Sequence, residues 1–304
     1  MGKPNAILFG PCVGELYWEL ARFAPLLPYM KAKQYKDKDI TYVVLTREDR
    51  FDIYGKFADI LVPLRIKGDG EKYLPDCFRL QGFSHGEVTK LARKFKAKYE
   101  ERFKIVTHVY PQLDGRRWQQ KNQFPPNLMK FKFKPRSDNL RLVEEHIPNS
   151  KPVVVLAPRY RNGFRRNWPH WGKFYDKVWN SDLRDEYMFV ICGKPGEYIP
   201  DKDDRFYDIN KIPRTTDSSL IGLTMEVLNR AVLTVGSQSA IPNISLLLRV
   251  PALEWGHQKK LHTAVYNIRK TYVEFLDDHK YKMDPDVIFR SMIKLLKKLK
   301  VEKK

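Results

Sequence analysis

Three short turns hold residues that could do chemistry, and each follows an apolar run typical of a β-strand. The first turn, residues 10–15 (GPCVGE), ends in the carboxylate of Glu15 at the predicted start of a helix. Such a carboxylate either complements the helix dipole or serves as a general base. The turn lacks the Gly-Lys-Ser/Thr of a P-loop and the glycine spacing of a dinucleotide fingerprint. Tyr17 and Trp18 follow it, and a polar and aromatic cluster there would suit a sugar or a base.

The second turn is a basic loop that follows the apolar segment 153–157 directly. It holds four arginines: Arg159, Arg161, Arg165 and Arg166. Guanidinium groups bind phosphate in a bidentate manner and keep their charge at neutral pH. A solvated basic loop is the alternative. Its position at the carboxyl end of a strand and its composition both favour phosphate binding.

The third turn, residues 236–240 (GSQSA), lies between a predicted strand and a predicted helix. Backbone N–H groups and small hydroxyls at a helix N-terminus bind phosphate well. Ordinary capping by Ser237 or Ser239 is the alternative. Taken together with the arginine loop, Ser237, Gln238 and Ser239 predict one diphosphate site.

The elements that must position these turns alternate between strand and helix. The predicted strands are 6–9, 40–45, 60–62, 105–109, 153–157, 188–192, 232–235 and 250–253. Helical patterns lie between several of them. One runs from Glu15 to about Met30, one begins after Ser218 or Ser219 as its N-cap, and one at 241–248 has Pro242 in its first turn. Residues 111–150, which hold five prolines, are expected to be rich in loops. This rhythm predicts parallel sheets with helices on their faces. We therefore expect two Rossmann-like α/β domains facing across a cleft, at 1–148 and 149–280, followed by a basic amphipathic helix at 281–304.

Positive charge is the unusual bulk property, with a net charge of +20 and a pI of about 9.7. Residues 90–136 hold 14 lysines and arginines against three acids, and residues 290–304 hold seven against one. Such a field attracts polyanions, although a solvated lysine-rich surface is the alternative. Aromatic residues that could stack on bases interleave the first segment: Tyr99, Phe103, Tyr110, Trp118, Phe124, Phe131 and Phe133. The acceptor or DNA contacts predicted from these patterns are Tyr17, Trp18, Arg116, Arg117, Trp118 and Lys121. The basic C-terminal helix could also adhere to anionic lipid.

Several classes of protein do not fit the sequence. Cys12, Cys77 and Cys192 are too scattered for a disulfide framework or a zinc cluster. The apolar runs are too short for a membrane span, and the N-terminus does not resemble a signal peptide. An Asp-x-Asp triplet within 201–204 is weak evidence for a metal site. We therefore expect a cytoplasmic protein without a bound metal, cofactor or obligate protein partner.

The second half resembles the nucleotide-sugar domain of GT-B glycosyltransferases, and the heptosyltransferase group in particular. Four segments carry the resemblance, over about 100 residues: 153–158 with the basic loop and Trp168-Pro169, 190–197, 220–231, and 235–243 leading to Val250-Pro251. The resemblance implies that Glu15 is the base of an inverting transfer. It implies that Ser237, Gln238, Ser239 and an arginine of the basic loop bind the donor diphosphate. Gly193, Glu254 and Trp255 would line the nucleoside pocket.

The chain departs from that group at two points. Ser237-Gln238-Ser239 stands where the group usually has Asp-Ser/Thr-Gly with a histidine shortly after, and Glu15 stands where it has aspartate. The resemblance implies a metal-independent transfer from a nucleoside-diphosphate sugar, with UDP-glucose as a candidate. The basic segment favours hydroxymethylated pyrimidines in DNA as the acceptor, since viral DNA glucosyltransferases share the GT-B plan and are basic. A cell-surface or lipid-linked glycan is the alternative acceptor. A basic nucleic-acid-binding protein on an α/β scaffold is the non-enzyme alternative.

Overall fold

A computed structural model describes residues 2–12, 19–36, 38–64, 85–110, 137–159, 167–193, 205–265, 267 and 269–302. The chain divides into two units, Met1–Lys134 and Pro135–Lys304. Each described unit contains one sheet whose paired strands all run parallel. The α/β class expected from the sequence is therefore confirmed.

The first unit has four strands in its described part, in the order β3-β2-β1-β4. They are β1 (Asn5–Cys12), β2 (Thr41–Thr46), β3 (Ile60–Pro63) and β4 (Lys104–Val109). The helices are α1 (Leu26–Tyr29), α2 (Phe51–Tyr54) and α3 (His85–Glu100), with π-helical turns at Glu19–Phe23 and Met30–Gln34 and a 3₁₀ turn at Glu48–Arg50. The helical pattern predicted up to Met30 is thus present but interrupted at Ala24-Pro25, because proline lacks the amide proton that a continuous helix needs.

The core of the first unit lies between its sheet and α3. The helix places Val88, Ala92, Phe95 and Tyr99 on one buried face, at the three- and four-residue spacing of an amphipathic helix. The opposing sheet face contributes Ala6, Leu8 and other apolar side chains of the central strands. Lysines and arginines occupy the exposed face of α3, so the same spacing that fills the core also orients the positive charge outward.

The second unit has six strands in its described part, in the order β10-β9-β8-β5-β6-β7. They are β5 (Val153–Ala157), β6 (Met188–Ile191), β7 (Tyr207–Asp208), β8 (Ala231–Ser237), β9 (Ala252–Gly256) and β10 (Val273–Asp277). The helices are α4 (Ser137–His146), α5 (Trp171–Trp179), α6 (Leu183–Glu186), α7 (Leu220–Arg230), α8 (Ala240–Leu247) and α9 (Pro285–Glu302), with a 3₁₀ turn at Ile209–Lys211 and a π-helical turn at Leu261–Val265. Numbered within the unit, the order is that of the dinucleotide-binding fold, and it reverses between β5 and β8.

An aromatic cluster fills one side of the second sheet. Trp168 and Trp171 are buried there, and the ring of Trp255 lies 4.9 Å from that of Trp168. Trp168 and Trp171 thus belong to the core rather than to a sugar-binding surface. Helix α9 closes this side with Ile288, Met292 and neighbouring apolar side chains.

Four elements of the second unit differ from the sequence-based expectation. Residues 137–146 were expected to be part of a loop-rich region, whereas they form α4, which packs on α7. The division between units accordingly falls after Lys134 rather than after residue 148. Helix α9 buries its apolar face in the core of the second unit, so it is an integral element and only its basic outer face is exposed. Strands β7 and β10 were not predicted.

Among the described residues, no helix has both the length and the apolar character that crossing a membrane requires.

Candidate donor-binding site

The carboxyl ends of four adjacent strands of the second unit bring the predicted donor-site residues together. Arg159 follows β5, Ser237 ends β8, Glu254 lies near the end of β9 and Gly193 follows β6. Open parallel sheets bind their ligands at this edge, beside the point where the strand order reverses. Four neighbouring strands span roughly 14 Å at the usual strand spacing. The edge therefore has room for an extended ligand such as a nucleoside diphosphate.

Gly236 allows β8, β5 and α8 to approach one another closely. A Cβ atom at this position would lie 2.9 Å from both the Cβ and the carbonyl oxygen of Ala157, and 3.2 Å from Cγ of Pro242. Any larger residue would push α8 away from the sheet. The glycine thus fixes where the N-terminus of α8 meets the strand end, and with it the positions of Ser237 and Ser239.

Polar side chains with no hydrogen-bond partner among the described residues surround the N-terminus of α8. The hydroxyl of Ser237, the amide nitrogen of Gln238 and the amide oxygen of Asn243 are all buried without one. These three residues are 0, 1 and 4% exposed. The side chain of the N-cap residue Ser239 makes no capping hydrogen bond. The main-chain carbonyl of Ser239 accepts a hydrogen bond from Nδ2 of Asn243 at 2.8 Å. Ordinary capping by Ser237 or Ser239, the simpler interpretation of this turn, is therefore not what the side chains do.

Arg159 joins the two strands on either side of the reversal point. Its Nη1 donates a hydrogen bond to the main-chain carbonyl of Gln238 at 2.5 Å, and the residue is 9% exposed. This bond orients the guanidinium at the edge of the sheet. The predicted members of the basic loop Arg161, Arg165 and Arg166 lie outside the described residues.

The side chain of Gln238 is held from one side by two residues that sequence reasoning left unassigned. Its Oε1 accepts hydrogen bonds from the backbone N–H of His257, at 3.2 Å, and from the hydroxyl of Tyr281. The Tyr281 hydroxyl also lies 3.1 Å from Nδ1 of His257. Tyr281 follows β10 and is separated from Gln238 by 43 residues, so no local pattern indicates this contact.

The residues predicted for the nucleoside pocket divide between the edge and the core. Glu254 is fully buried, with its carboxylate 2.7 Å from Nδ1 of His262 in the π-helical turn. Trp255 points to the opposite face of β9, as strand alternation requires, and its ring is packed in the aromatic cluster. The main chain of Trp255 still contributes, because its carbonyl accepts the N–H of Gln238 at 3.0 Å. The buried Gly193 offers its carbonyl to Asn210 Nδ2 at 3.3 Å.

The carboxyl edge of the first sheet holds a second buried polar cluster. Glu19 forms an ion pair with Arg50 and accepts a hydrogen bond from the Tyr54 hydroxyl at 2.7 Å. Burial raises the pKa of the neighbouring Cys12 thiol to about 12, so this cysteine is a neutral thiol and a poor nucleophile. Burial likewise raises the pKa of Tyr54. The cluster fixes the end of β1 relative to the π-helical turn that begins at Glu19.

The predicted catalytic and acceptor residues lie outside the described part of the chain. These are Glu15, Tyr17, Trp18, Arg116, Arg117, Trp118 and Lys121, and the Asp-x-Asp triplet within 201–204 lies outside it as well. Of the aromatic residues predicted to stack on bases, Tyr99 and Phe103 are buried in the core of the first unit, so that prediction is wrong for these two. Lys90, Arg93 and Lys94 of α3 are exposed.

Solved structures with the same fold include glycosyltransferases and an epimerase. ADP-heptose lipopolysaccharide heptosyltransferase II from E. coli has a TM-score of 0.55 at 10% identity, covering 99% of this chain and 100% of that one. A family 9 glycosyl transferase from Veillonella parvula has a TM-score of 0.52 at 14% identity, covering 96% of this chain and 89% of that one. A putative UDP-N-acetylglucosamine 2-epimerase from Listeria monocytogenes has a TM-score of 0.50 at 12% identity, covering 97% and 88%.

No protein-family model matches the sequence, and a search of curated proteins finds no match either. The structural likeness is therefore one of fold: the chain has the α/β fold of the GT-B glycosyltransferases. The expected fold type is confirmed at this level.

Proposed function

We propose that this protein is a glycosyltransferase that binds the diphosphate of a nucleotide sugar at the carboxyl edge of its second sheet. One observation carries the proposal: two buried donors beside the N-terminus of α8, the hydroxyl of Ser237 and the amide nitrogen of Gln238, have no hydrogen-bond partner in the described structure. A buried donor without a hydrogen-bond partner costs about 1–3 kcal/mol. A ligand that accepts hydrogen bonds from these donors removes that cost and therefore binds more tightly.

A diphosphate matches this group of residues chemically. Its oxygens accept hydrogen bonds from the Ser237 hydroxyl and the Gln238 amide, and a helix N-terminus favours negative charge. Arg159 supplies a guanidinium group whose orientation is already fixed by the carbonyl of Gln238. Ser239, whose side chain caps no amide, is a further donor. Arg161, Arg165 or Arg166 would add charge from the basic loop.

The nucleoside would extend along the strand ends from the diphosphate. Glu254 offers carboxylate oxygens to the hydroxyls of a ribose, and Nδ1 of His262 lies 2.7 Å from that carboxylate. Gly193, on the other side of Arg159, allows a flat group to approach the main chain closely. UDP-glucose is the candidate donor, and the known nucleotides of the structural neighbours, ADP-heptose among them, belong in the same test.

The proposed reaction is a direct displacement that inverts the anomeric carbon. Glu15 takes the proton of an acceptor hydroxyl, and the hydroxyl oxygen forms the new bond to that carbon. The bond between the anomeric carbon and the phosphate oxygen breaks, and both its electrons leave with the nucleoside diphosphate. Arg159 and the donors around α8 stabilise the charge that develops on the leaving group. These side chains supply the positive charge for which other enzymes use a metal ion.

Hydroxymethylated pyrimidine bases in DNA are the acceptor that we propose. The support is the exposed basic face of α3, where Lys90, Arg93 and Lys94 lie in the unit that would hold the acceptor. A base in a duplex would have to leave the stack to reach the site. The alternative acceptors are a cell-surface glycan or a lipid-linked glycan, for which the exposed basic face of α9 would adhere to anionic lipid.

Transfer of radiolabelled sugar tests the proposal. Each of UDP-glucose, UDP-N-acetylglucosamine, ADP-heptose and GDP-fucose is incubated with duplexes that contain hydroxymethylcytosine, hydroxymethyluracil or only ordinary bases. Label on a hydroxymethylated duplex alone supports the full proposal. Hydrolysis of one donor without transfer to DNA would contradict the DNA acceptor and support a glycan acceptor. If no nucleotide sugar binds, the non-enzyme alternative replaces the proposal.

Matched variants separate the roles. Glu15→Gln is expected to abolish transfer while leaving nucleotide affinity unchanged, and the exposed Glu101 provides the control Glu101→Gln. Neutralising Lys90, Arg93 and Lys94 to glutamine should weaken DNA binding and reduce its salt dependence. The equivalent change on the outer face of α9, at Arg290, Lys294 and Lys297, removes the same charge elsewhere and should affect DNA binding less.

A further inference from the structure

The support beneath the Gln238 side chain is unusually constrained. Gly256 lies directly against it, at a φ of +155° that side chains rarely adopt. A Cβ at Gly256 would lie 2.4 Å from Oε1 of Gln238, so any side chain there would displace the carboxamide. The absence of a side chain at the end of β9 is thus what makes room for Gln238.

Tyr281 supports the same carboxamide from a strained backbone. Its φ is +53° and the residue is 2% exposed. A bulky residue in the left-handed region is strained and persists only where its surroundings enforce that conformation. This conformation brings the hydroxyl of Tyr281 to Oε1 of Gln238 and to Nδ1 of His257.

The loop around Tyr281 is built to hold that conformation. The carboxylate of Asp278 accepts hydrogen bonds from the N–H of Met283 at 2.7 Å and of Lys280 at 3.2 Å. The N–H of Asp278 donates to the carbonyl of Gly256 at 2.7 Å, which ties the loop to the end of β9. The indole of Trp168 donates to the carbonyl of Met283 at 2.8 Å. These bonds fix the loop at both ends relative to the site.

The orientation of the Gln238 carboxamide follows from its partners. The backbone N–H of His257 can only donate, so the atom that it contacts is the oxygen, Oε1. The Tyr281 hydroxyl has one proton and gives it to this oxygen, so it accepts from a protonated Nδ1 of His257. The amide nitrogen of Gln238 therefore points away from these partners. It is buried without a hydrogen-bond partner among the described residues.

We propose that Tyr281 is a positioning residue for the donor diphosphate, which it serves by fixing the Gln238 carboxamide so that its NH₂ group is presented to a phosphate oxygen. This inference rests on the proposed function, because it assumes that Gln238 contacts the diphosphate. Tyr281 itself does not contact the ligand. Its hydroxyl and the bare backbone of Gly256 together leave the carboxamide a single orientation before any ligand arrives.

A double-mutant cycle tests whether Tyr281 acts through Gln238. The dissociation constants of ADP, GDP and UDP are measured by calorimetry for the wild type, Tyr281→Phe, Gln238→Ala and the double variant. Tyr281→Phe should weaken the nucleotide that binds best about fivefold to tenfold, the effect of one neutral hydrogen bond. The double variant should bind no more weakly than Gln238→Ala alone, because the carboxamide that Tyr281 orients is then absent.

Two further variants complete the test. Tyr207→Phe removes the hydroxyl of an exposed tyrosine on β7 and should bind like the wild type. Gly256→Ala introduces a Cβ that displaces the Gln238 carboxamide while the Tyr281 hydroxyl remains, so it should also weaken nucleotide binding. Melting temperatures measured alongside show whether each variant is folded.

Additive effects of Tyr281→Phe and Gln238→Ala would overturn the inference, as would unchanged affinity in Tyr281→Phe. Failure of the wild type to bind any of the three nucleotides would instead overturn the proposed function, and this inference with it. The two failures are therefore distinguished by the wild-type titration alone.

Discussion

The guanidinium of Arg159 donates to the main-chain carbonyl of Gln238 at 2.5 Å, across the point where the strand order of the second sheet reverses. This bond links the ends of β5 and β8, the two strands between which ligands bind in such sheets. It also sets the direction in which the remaining N–H groups of the guanidinium point. Arg159 thus links the ends of β5 and β8 and places a guanidinium group at the carboxyl edge of the sheet.

Replacing Arg159 should weaken nucleoside diphosphate binding. Arg159→Ala is expected to raise the dissociation constant about tenfold to 100-fold, since a hydrogen bond to a charged group contributes about 1.5–3 kcal/mol. Arg159→Lys should recover only part of this loss, because an ammonium group lacks the planar fork. Calorimetric titration measures both. Arg205→Ala, which removes a partly exposed arginine paired with Asp176, is the control, and equal losses in the two variants would contradict the role of Arg159.

The ion pair of Glu19 and Arg50 should dominate the stability of the first unit. Both side chains are buried, so Arg50→Met leaves an uncompensated carboxylate and should lower the free energy of unfolding by about 3–5 kcal/mol. Glu19→Leu combined with Arg50→Met should cost less than the sum of the single changes. Urea denaturation measures these values. The control Lys96→Ala breaks an exposed ion pair with Glu100 and should lower the free energy of unfolding by at most about 1 kcal/mol. A loss no larger than this in Arg50→Met would contradict the prediction.

Ser219 should stabilise α7 as its N-cap. Its hydroxyl accepts the N–H of Gly222 at 2.9 Å, so Ser219→Ala is expected to lower the free energy of unfolding by about 1 kcal/mol. Chemical denaturation measures the change, with the exposed Ser150→Ala as a control. An unchanged unfolding midpoint in Ser219→Ala would show that the cap contributes nothing.

Acidification should destabilise the first unit through His108. Burial lowers the pKa of His108, although Nε2 donates to the carbonyl of Gly10 at 2.7 Å. The unfolded chain therefore binds the proton more readily, so the stabilising contribution is complete above the ordinary histidine pKa of about 6.5 and declines as the pH falls below it. Unfolding free energies measured between pH 7.5 and 5 should show this decline, and His108→Gln should reduce it. The control His279→Gln, at an exposed site, should leave the pH dependence of the unfolding free energy as it is in the wild type. The prediction is contradicted if His108→Gln shows the same pH dependence as the wild type.

The fold was predictable because its strongest signals are local. The uninterrupted apolar run Val153–Ala157 is a fully buried strand, and Ser219 is the cap that its spacing to the next helix suggested. Pro242 was expected in the first turn of its helix and lies there in α8. In contrast, α4 was not recognised, because it lies among prolines and charged residues and its few apolar side chains pack on α7, an element distant in the sequence.

The candidate site was predictable only in part. Ser237, Gln238 and Arg159 stand in turns after strands, where the fold places ligands, so their proximity could be expected. Tyr281 could not be found in this way, because its contact with Gln238 joins residues far apart in sequence and depends on a left-handed backbone. Arg50 and Glu19 likewise look like surface charges until the sheet brings them together.

The central claim, that the diphosphate of a nucleotide sugar binds at the N-terminus of α8, is tested most directly by a crystal structure of the protein with UDP, ADP or GDP. The account predicts phosphate oxygens within hydrogen-bonding distance of Ser237, of the amide nitrogen of Gln238 and of Arg159. Crystals that hold the nucleotide with its diphosphate away from these three residues would contradict it.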